Sequence, residues 1–543
     1  MNVVRWLVAL GWLGSWWLCL GFPALAIALA SRPAPRVETP AAQAAIVERD
    51  GRTTIGRCYA EKVGAITHLH LAGDAQTIGW CHGALGAPAL GRLEREMVEV
   101  FVERAPSFLA RHLILGFVHW NNRDLDAHFL PTEIAEIAAI SSGHRRQDDP
   151  FAAMAPGYLR SLHYHALHDV SQYLIDNPLI HAPQVGCTAL AVGGARSAEG
   201  HLLVGRLFDF EGGRAFDLDK VVITCEPDGG IAFVSVVWNG MAGAVTGLNA
   251  AGLWISINAA ATDGMRFSGR PVVMVVREVL QTCHTLDEAV RVIRDADVFV
   301  TNAILLASRD EGRAICVENG PSGCAVRPMR DDALVATNHF LDPSWAGDEA
   351  NAGRIANGTT ARRFARASAL IDATPVHDPA TVLAILRDRA GDGGADVGFG
   401  NRSTINAWIG AHLVVCDVTA GVLWVCEPSH GLGRAIPFTV AGPLHPAPIL
   451  PASPDVALHE RAGDEALRLE REIDALLAGG RRDEAASSAA QLTALNPNSF
   501  RAHVLAARAC DDDAERRRLL ERALTLQPAY AADRLEIEAL LAR

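Results

Sequence analysis

The residue with the most chemical promise in this chain is Cys187, within Val185-Gly186-Cys187-Thr188-Ala189. A lone cysteine is ordinarily a small buried hydrophobe, but the position of this one points elsewhere. It opens the first strand-like run, Thr188 to Val192, after a long helical segment, and a glycine that permits close backbone approach precedes it. After a turn at Ala198-Glu199-Gly200, the next run ends in Gly205-Arg206-Leu207-Phe208-Asp209-Phe210. A hairpin of that length returns Arg206 and Asp209 to the neighbourhood of Cys187. A thiol beside a guanidinium and a carboxylate is a setting in which a thiolate is stabilised and an amine oriented.

Other clusters carry less. His163, His165 and His168 have ligand-like spacing, and His68 and His70 alternate as on a strand. Neither group has a Cys or Glu partner set, so both read as packing histidines, with no metal and no cofactor expected. Arg516-Arg517-Arg518 lies beside Asp511-Asp512-Asp513 and Glu515, a solvated helix face. No phosphate-cradling Gly-x-x-x-x-Gly-Lys-Ser/Thr loop occurs.

The elements that must position Cys187 belong to a chain of 543 residues, 50% apolar and 20% charged, with net charge −13. That composition excludes intrinsic disorder and collagen-like repeats, and its acidic balance argues against nucleic acid as a partner. Eleven cysteines are too few for a disulfide scaffold. Mean hydropathy is +0.14, in part because Trp6 to Ser31 carries no charge. With Arg5 before it and Ala24-Leu25-Ala26 and Ala28-Leu29-Ala30 near its end, residues 1–30 read as a signal peptide or membrane anchor. The rest would then be exported, periplasmic or anchored facing the periplasm. Alanine richness with only Lys62 and Lys220 as lysines fits a bacterial coding sequence.

Residues 31–59 read as a Pro/Ala-rich linker, 60–186 as a helical segment, and 187–440 as a core of strands, helices and strands again. Thr285-Leu286-Asp287-Glu288 is a capping box that opens one of its helices. Pro443, Pro446, Pro448, Pro451 and Pro454 mark a second linker at 441–456. Residues 457–543 read as helices, with Leu495-Asn496-Pro497 and Leu526-Gln527-Pro528 recurring 31 residues apart. The recurrence is similar to tetratricopeptide hairpins, whose period is usually 34, and points to a protein partner; a plain helical tail reads equally well.

Gly186-Cys187-Thr188, the hairpin and Gly205-Arg206-x-x-Asp209 together resemble the cysteine branch of the N-terminal nucleophile hydrolases. Its members include the bile-salt (choloylglycine) hydrolases and penicillin acyltransferase (acyl-CoA:6-aminopenicillanic acid acyltransferase). The likeness continues through Thr246-Gly247-Leu248-Asn249 to Leu253, then Asn258, Ala336-Thr337-Asn338-His339-Phe340, Arg362-Arg363-Phe364 and Ser403 to Trp408. Ile78-Gly79-Trp80-Cys81-His82-Gly83 resembles the acyltransferase pro-chain. Three features set the chain apart. Bile-salt hydrolases remove little more than an initiator Met, whereas 186 residues precede this cysteine. Penicillin acyltransferase has no arginine where Arg206 stands, and Asn258 is one residue out of register with the bile-salt pattern.

The resemblance implies an α/β fold, a four-layer αββα sandwich with a helical N-terminal pro-segment. It implies Cys187 as nucleophile, with Arg206 and Asp209 flanking it. Asn258 and Asn338 become oxyanion or substrate donors, and Arg363 a supporting cation. It further implies self-cleavage between Gly186 and Cys187 through a thioester, with Arg206 favouring the thiolate, Asp209 orienting the freed α-amine, and the two chains remaining associated. The expected substrate is a small acyl-amide, hydrolysed or used for acyl transfer, in one form from acyl-CoA. The rival reading is an inactive envelope adaptor working through the helical tail.

Overall fold

The computed structural model describes residues 17, 21–31, 33–37, 46–49, 51–105, 107–144, 149–152, 154–175, 186–444, 446 and 448–542. Most of the uncharged N-terminal run lies outside them. Phe22–Ala30 is helical, and among the described residues no helix is long and apolar enough to cross a membrane.

Two sheets form the centre. The larger holds β1 (Val47–Arg49), β2 (Arg52–Ile55), β3 (Cys58–Val63), β4 (Ile66–Gly73), β7 (Lys220–Pro227), β8 (Phe233–Trp238), β9 (Thr246–Asn249), β10 (Leu253–Ala259), β11 (Asn302–Ser308), β12 (Arg313–Gly320) and β13 (Gly323–Pro328), in that spatial order. The smaller runs β14 (Ala333–Ala336), β5 (Thr188–Val192), β6 (Leu203–Asp209), β15 (Gly410–Asp417), β16 (Val422–Cys426), β17 (Ala435–Thr439) and β18 (Gly442–Pro443).

Three apolar clusters separate four layers. Val204, Val236, Leu305 and Val414 meet between the sheets. Ile223, Ile255 and Val317 pack under helices that include Ala75–Leu85, Pro131–Gly143 and Val272–Thr282. Leu190, Leu203 and Leu413 pack under Thr360–Ala373 and Pro379–Leu386 on the far side. This is an αββα sandwich. Every residue of β6 is buried, so its alternation is between two interiors. Leu203, Gly205 and Leu207 face the helices, where a Cβ on Gly205 would lie 2.6 Å from Val382. Val204, Arg206 and Phe208 point the other way, which puts a guanidinium between the sheets.

The stretch at 47–73, expected as linker passing into helix, is instead four strands. Most of β4 is buried, with only Thr67 and His70 partly exposed, and β4 runs parallel to β7 from Thr67↔Val221 to Gly73↔Pro227. The N-terminal portion is therefore woven into the sheet of the core. The proline-rich stretch is also packed. Leu450 exchanges backbone bonds with Ala435 at 2.9 and 3.1 Å, and Trp424 donates to the Pro448 carbonyl at 2.9 Å. Prolines suit an edge that needs few donors. The capping box is present, with Glu288 N–H on the Thr285 hydroxyl at 3.2 Å. The tail is five helices: Val456–Ala478, Arg482–Leu495, Phe500–Ala509, Asp513–Thr525 and Ala531–Leu541.

Candidate active site

Antiparallel register builds the site. Thr188 pairs with Leu207 and Ala189 with Arg206, so Gly186 and Cys187 come level with the end of β6, and Gly186 N–H reaches the Asp209 carbonyl at 3.4 Å. On the other side β14 sets Ala336 opposite Ala189, which carries Thr337 and Asn338 past Cys187. Asn258 at the end of β10 approaches from the other sheet and donates to the Ala336 carbonyl at 3.1 Å. Asn338 returns the tie, donating to the Ala259 carbonyl at 2.7 Å. The two asparagines thus pin the sheets together beside the thiol.

Cys187 is buried, with its Sγ 3.9 Å from Arg206 Nη2. Arg206 is itself fully buried. Its Nη1 donates to Thr246 Oγ1 at 2.6 Å and to His412 Nε2 at 2.9 Å, and its Nη2 to the Ile257 carbonyl. His412 must accept at Nε2, so it is the neutral tautomer with the proton on Nδ1. Burial first, and Arg206 second, hold its pKa well below the usual value. His412 is the positioning partner that sequence reading missed. A lone histidine in an apolar strand carries no spacing signal, and only the pairing Val414↔Arg206 brings β15 alongside.

Arg363 sits in the first turn of Thr360–Ala373, a place where the helix dipole disfavours a cation. It is compensated by acceptors: the Gly186 carbonyl at 2.8 Å, the Cys187 carbonyl at 2.6 Å, Thr188 Oγ1 at 3.2 Å and Asn338 Oδ1 at 2.6 Å. All six residues singled out as candidates, with Gly186, therefore meet in one place. The thiol does not behave as expected of a resting thiolate. Arg206 pulls its pKa down, but burial outweighs that and the net shift is upward. Burial therefore favours the thiol form over the thiolate.

Among the described residues, neither carboxyl oxygen of Asp209 has a hydrogen-bond partner, although the residue is wholly buried. One oxygen lies 3.1 Å from where a Cβ on Gly186 would stand. Burial pushes this carboxyl up to about 7, against the pull of Arg363, Arg402 and Arg206, with Glu211 adding to the rise. The folded chain therefore binds this proton more tightly than the unfolded one, whose carboxyl titrates near 3.9. The resulting stability is fully present below about pH 4 and is lost as pH rises through about 7. In an uncut Cys187→Ala background, Asp209→Asn should raise the unfolding temperature at pH 8 and leave it unchanged at pH 4. The scale is about 1.4 kcal/mol per pKa unit. Parallel unfolding temperatures from pH 4 to 8 would contradict the assignment.

The N-terminal segment closes the site from the helical side. His168, on Leu167–Ile175, lies 6.2 Å from the Phe208 ring, which in turn stacks on His412 at 5.3 Å. His165 bridges the Ser161 carbonyl and Ala242 N–H at 2.8 Å each, so it is a packing histidine. Among the described residues, no three His, Cys, Asp or Glu side chains converge to hold a metal.

Residues 198–395 match the family model of acyl-coenzyme A:6-aminopenicillanic acid acyl-transferase. That segment is similar to the acyl-transferase family over about a third of the chain. It begins after Cys187 and contains Arg206, Asp209, Asn258, Asn338 and Arg363. An uncharacterised protein of Archaeoglobus fulgidus is 24% identical over 311 residues, 51% of this chain and 50% of that protein. The chain thus spans about half the length of that relative. Among solved structures, the Caenorhabditis elegans ortholog of N-acylethanolamine-hydrolyzing acid amidase is 18% identical, with a TM-score of 0.33 over 43% of this chain and 93% of that one. A variant of conjugated bile acid hydrolase from Clostridium perfringens is 14% identical, with a TM-score of 0.32 over 44% of this chain and 89% of that one. Penicillin V acylase from Agrobacterium tumefaciens is 17% identical, with a TM-score of 0.31 over 47% of this chain and 86% of that one. At such scores the assignment of layers rests on the sheets and clusters described above.

Proposed function

We propose that this protein is a cysteine amidohydrolase or acyltransferase that activates itself by cleaving Gly186–Cys187 and then works through a thioester acyl-enzyme. The observation that carries the reading is the Arg363 donor 2.8 Å from the Gly186 carbonyl, because that carbonyl is the one next to the buried thiol. The Cys187 sulfur attacks the Gly186 carbonyl carbon, and Arg363 stabilises the oxyanion. The C–N bond breaks as the C–S bond forms, and the thiol proton goes to the departing nitrogen. Asp209, which titrates near neutrality, carries it, as a general base matched to its working pH does. That shift frees the α-amine of Cys187, and water then hydrolyses the thioester, releasing the Gly186 carboxylate and the Cys187 thiol.

A free α-amine ordinarily titrates at about 7.7–8.0, close enough to neutrality to serve as base for its own thiol. The unpartnered Asp209 carboxylate is where the ammonium form docks. Arg206, held by His412, Thr246 and Ile257, favours the thiolate during turnover. Asn338 and Asn258, whose side-chain amides each donate to a backbone carbonyl across the sheets, would supply their second N–H to the acyl oxygen. Association of the two chains after cleavage follows from the β4–β7 pairing and from Gly240 N–H bonding His82 at 2.9 Å. Export accompanies this reading, on the strength of the uncharged run after Arg5.

A panel of acyl-amides tests the activity. The expected result is turnover with an acyl adduct on the Cys187 chain by mass spectrometry. Partition of that adduct between water and an added amine separates hydrolysis from acyl transfer. Turnover without any adduct would contradict the thioester route.

A further inference from the structure

The two recurring turns of the tail do something the repeat reading did not assign. Asn496 accepts from Phe399 N–H at 2.9 Å and donates to the Phe399 carbonyl at 3.2 Å. Gln527 accepts from Asp392 N–H at 2.8 Å and donates to the Asp392 carbonyl at 3.2 Å. Each side-chain amide thus pairs with both backbone groups of one core residue, as a neighbouring strand would. Arg362 donates to the Pro528 carbonyl at 2.9 Å and Asn401 to the Gln527 carbonyl at 3.1 Å. Gly398, at φ +73°, lies against Asn496 where a side chain would collide. Further along, Gly463 packs so closely on Trp408 that a Cβ would stand 2.5 Å from the indole nitrogen.

The clamped segment, 391–401, leads directly into Arg402. That guanidinium is paired with Glu211 and donates to the Ala407 carbonyl at 2.8 Å. Four charged groups bear on Asp209: Arg206 from β6, Arg363 from Thr360–Ala373, Arg402 from the clamped segment, and Glu211 just beyond β6. The Cys187 thiol is its remaining titratable neighbour. Tyr530, two residues past Pro528, lies within electrostatic reach of both Arg363 and Arg402. The tail is therefore hydrogen-bonded to Arg362, the chain neighbour of Arg363, and to the segment that leads into Arg402.

We infer that the C-terminal helical unit positions the catalytic site, its two amide turns fixing the segment that leads into Arg402. Arg402 and Tyr530 act as positioning residues, through Asp209 and Arg363. The inference rests on Cys187 and Asp209 working as proposed above. Loosening the clamp withdraws a cation from Asp209, so the carboxyl titrates higher and the pH at which self-cleavage is half-maximal moves up.

The test uses full-length chains carrying Asn496→Leu with Gln527→Leu, the milder Gln527→Glu, and Tyr530→Phe. Self-cleavage is followed against pH, and hydrogen exchange of 391–401 is recorded alongside. The double variant should exchange faster there, cleave at least about tenfold more slowly at pH 7 and show a raised midpoint, with Gln527→Glu intermediate. Tyr530→Phe should slow cleavage about threefold without changing exchange. Faster exchange with an unchanged rate and midpoint would overturn the inference. Should the double variant fail to fold, Gln527→Glu with a wild-type midpoint does so. A wild-type chain that never cleaves refutes the nucleophile reading instead. The clamp is then decided by the pH dependence of unfolding in the Cys187→Ala background, where a clamp variant identical to its parent overturns it.

Discussion

Cys187→Ala is expected to remain one uncut polypeptide with amidase activity at background. The sulfur is the group proposed to form the new bond to the Gly186 carbonyl, and both steps of the proposed chemistry pass through it. Losses of this kind reach about 10⁴-fold or more, because no neighbouring group substitutes for a covalent nucleophile. The variant should fold, since alanine at a buried cysteine leaves a space of one sulfur and removes no buried ion pair. The layered core should be untouched. Serine in its place should cleave slowly if at all, because its hydroxyl is a much weaker nucleophile near neutral pH. Cleavage of Cys187→Ala at the wild-type rate would remove Cys187 from the mechanism.

Arg363→Met carries the second large effect. The guanidinium donates to the carbonyls of Gly186 and Cys187 and to Asn338 from within the protein interior. There a fixed donor is worth far more than in water. Removal of one oxyanion donor typically costs about 10²–10³ in rate, and self-cleavage should slow by that order. Methionine keeps the volume and stays apolar, so buried carbonyls lose a donor without gaining a clash. Arg363→Lys should recover part of the rate, because one ammonium reaches one of the acceptors but not all of them. Self-cleavage of Arg363→Met within about threefold of wild type would show that the oxyanion is stabilised elsewhere.

Legibility from sequence followed the range of the contact. Cys187, Arg206 and Asp209 could be brought together from local spacing, because a single hairpin relates them and hairpin register follows from turn length. Asn338 and Arg363 were reached only through resemblance; their approach depends on β14 pairing with β5 and on the helix that follows. His412 and Arg402 left no local trace, since their roles arise from strands and segments about 200 residues away from Cys187 and Arg206. His68 and His70 alternate as on a strand, yet the strands at 47–73 were not legible from that alone, because the strand that β4 pairs with, β7, lies far along the chain; there His68 bonds Thr224 at 2.8 Å. The Asn-Pro and Gln-Pro steps were visible as a recurrence, yet their use as a clamp depends on the core segment they meet. The burial that favours the thiol form of Cys187 is likewise a property of the packed sandwich, and composition does not report it.

The most direct test of the central claim is intact mass and N-terminal sequencing of the purified wild-type chain, incubated at pH 7 to 8. The account predicts two co-purifying polypeptides, the second beginning Cys187-Thr188-Ala189-Leu190. A single chain that crosses Gly186–Cys187 and still hydrolyses acyl-amides would contradict it.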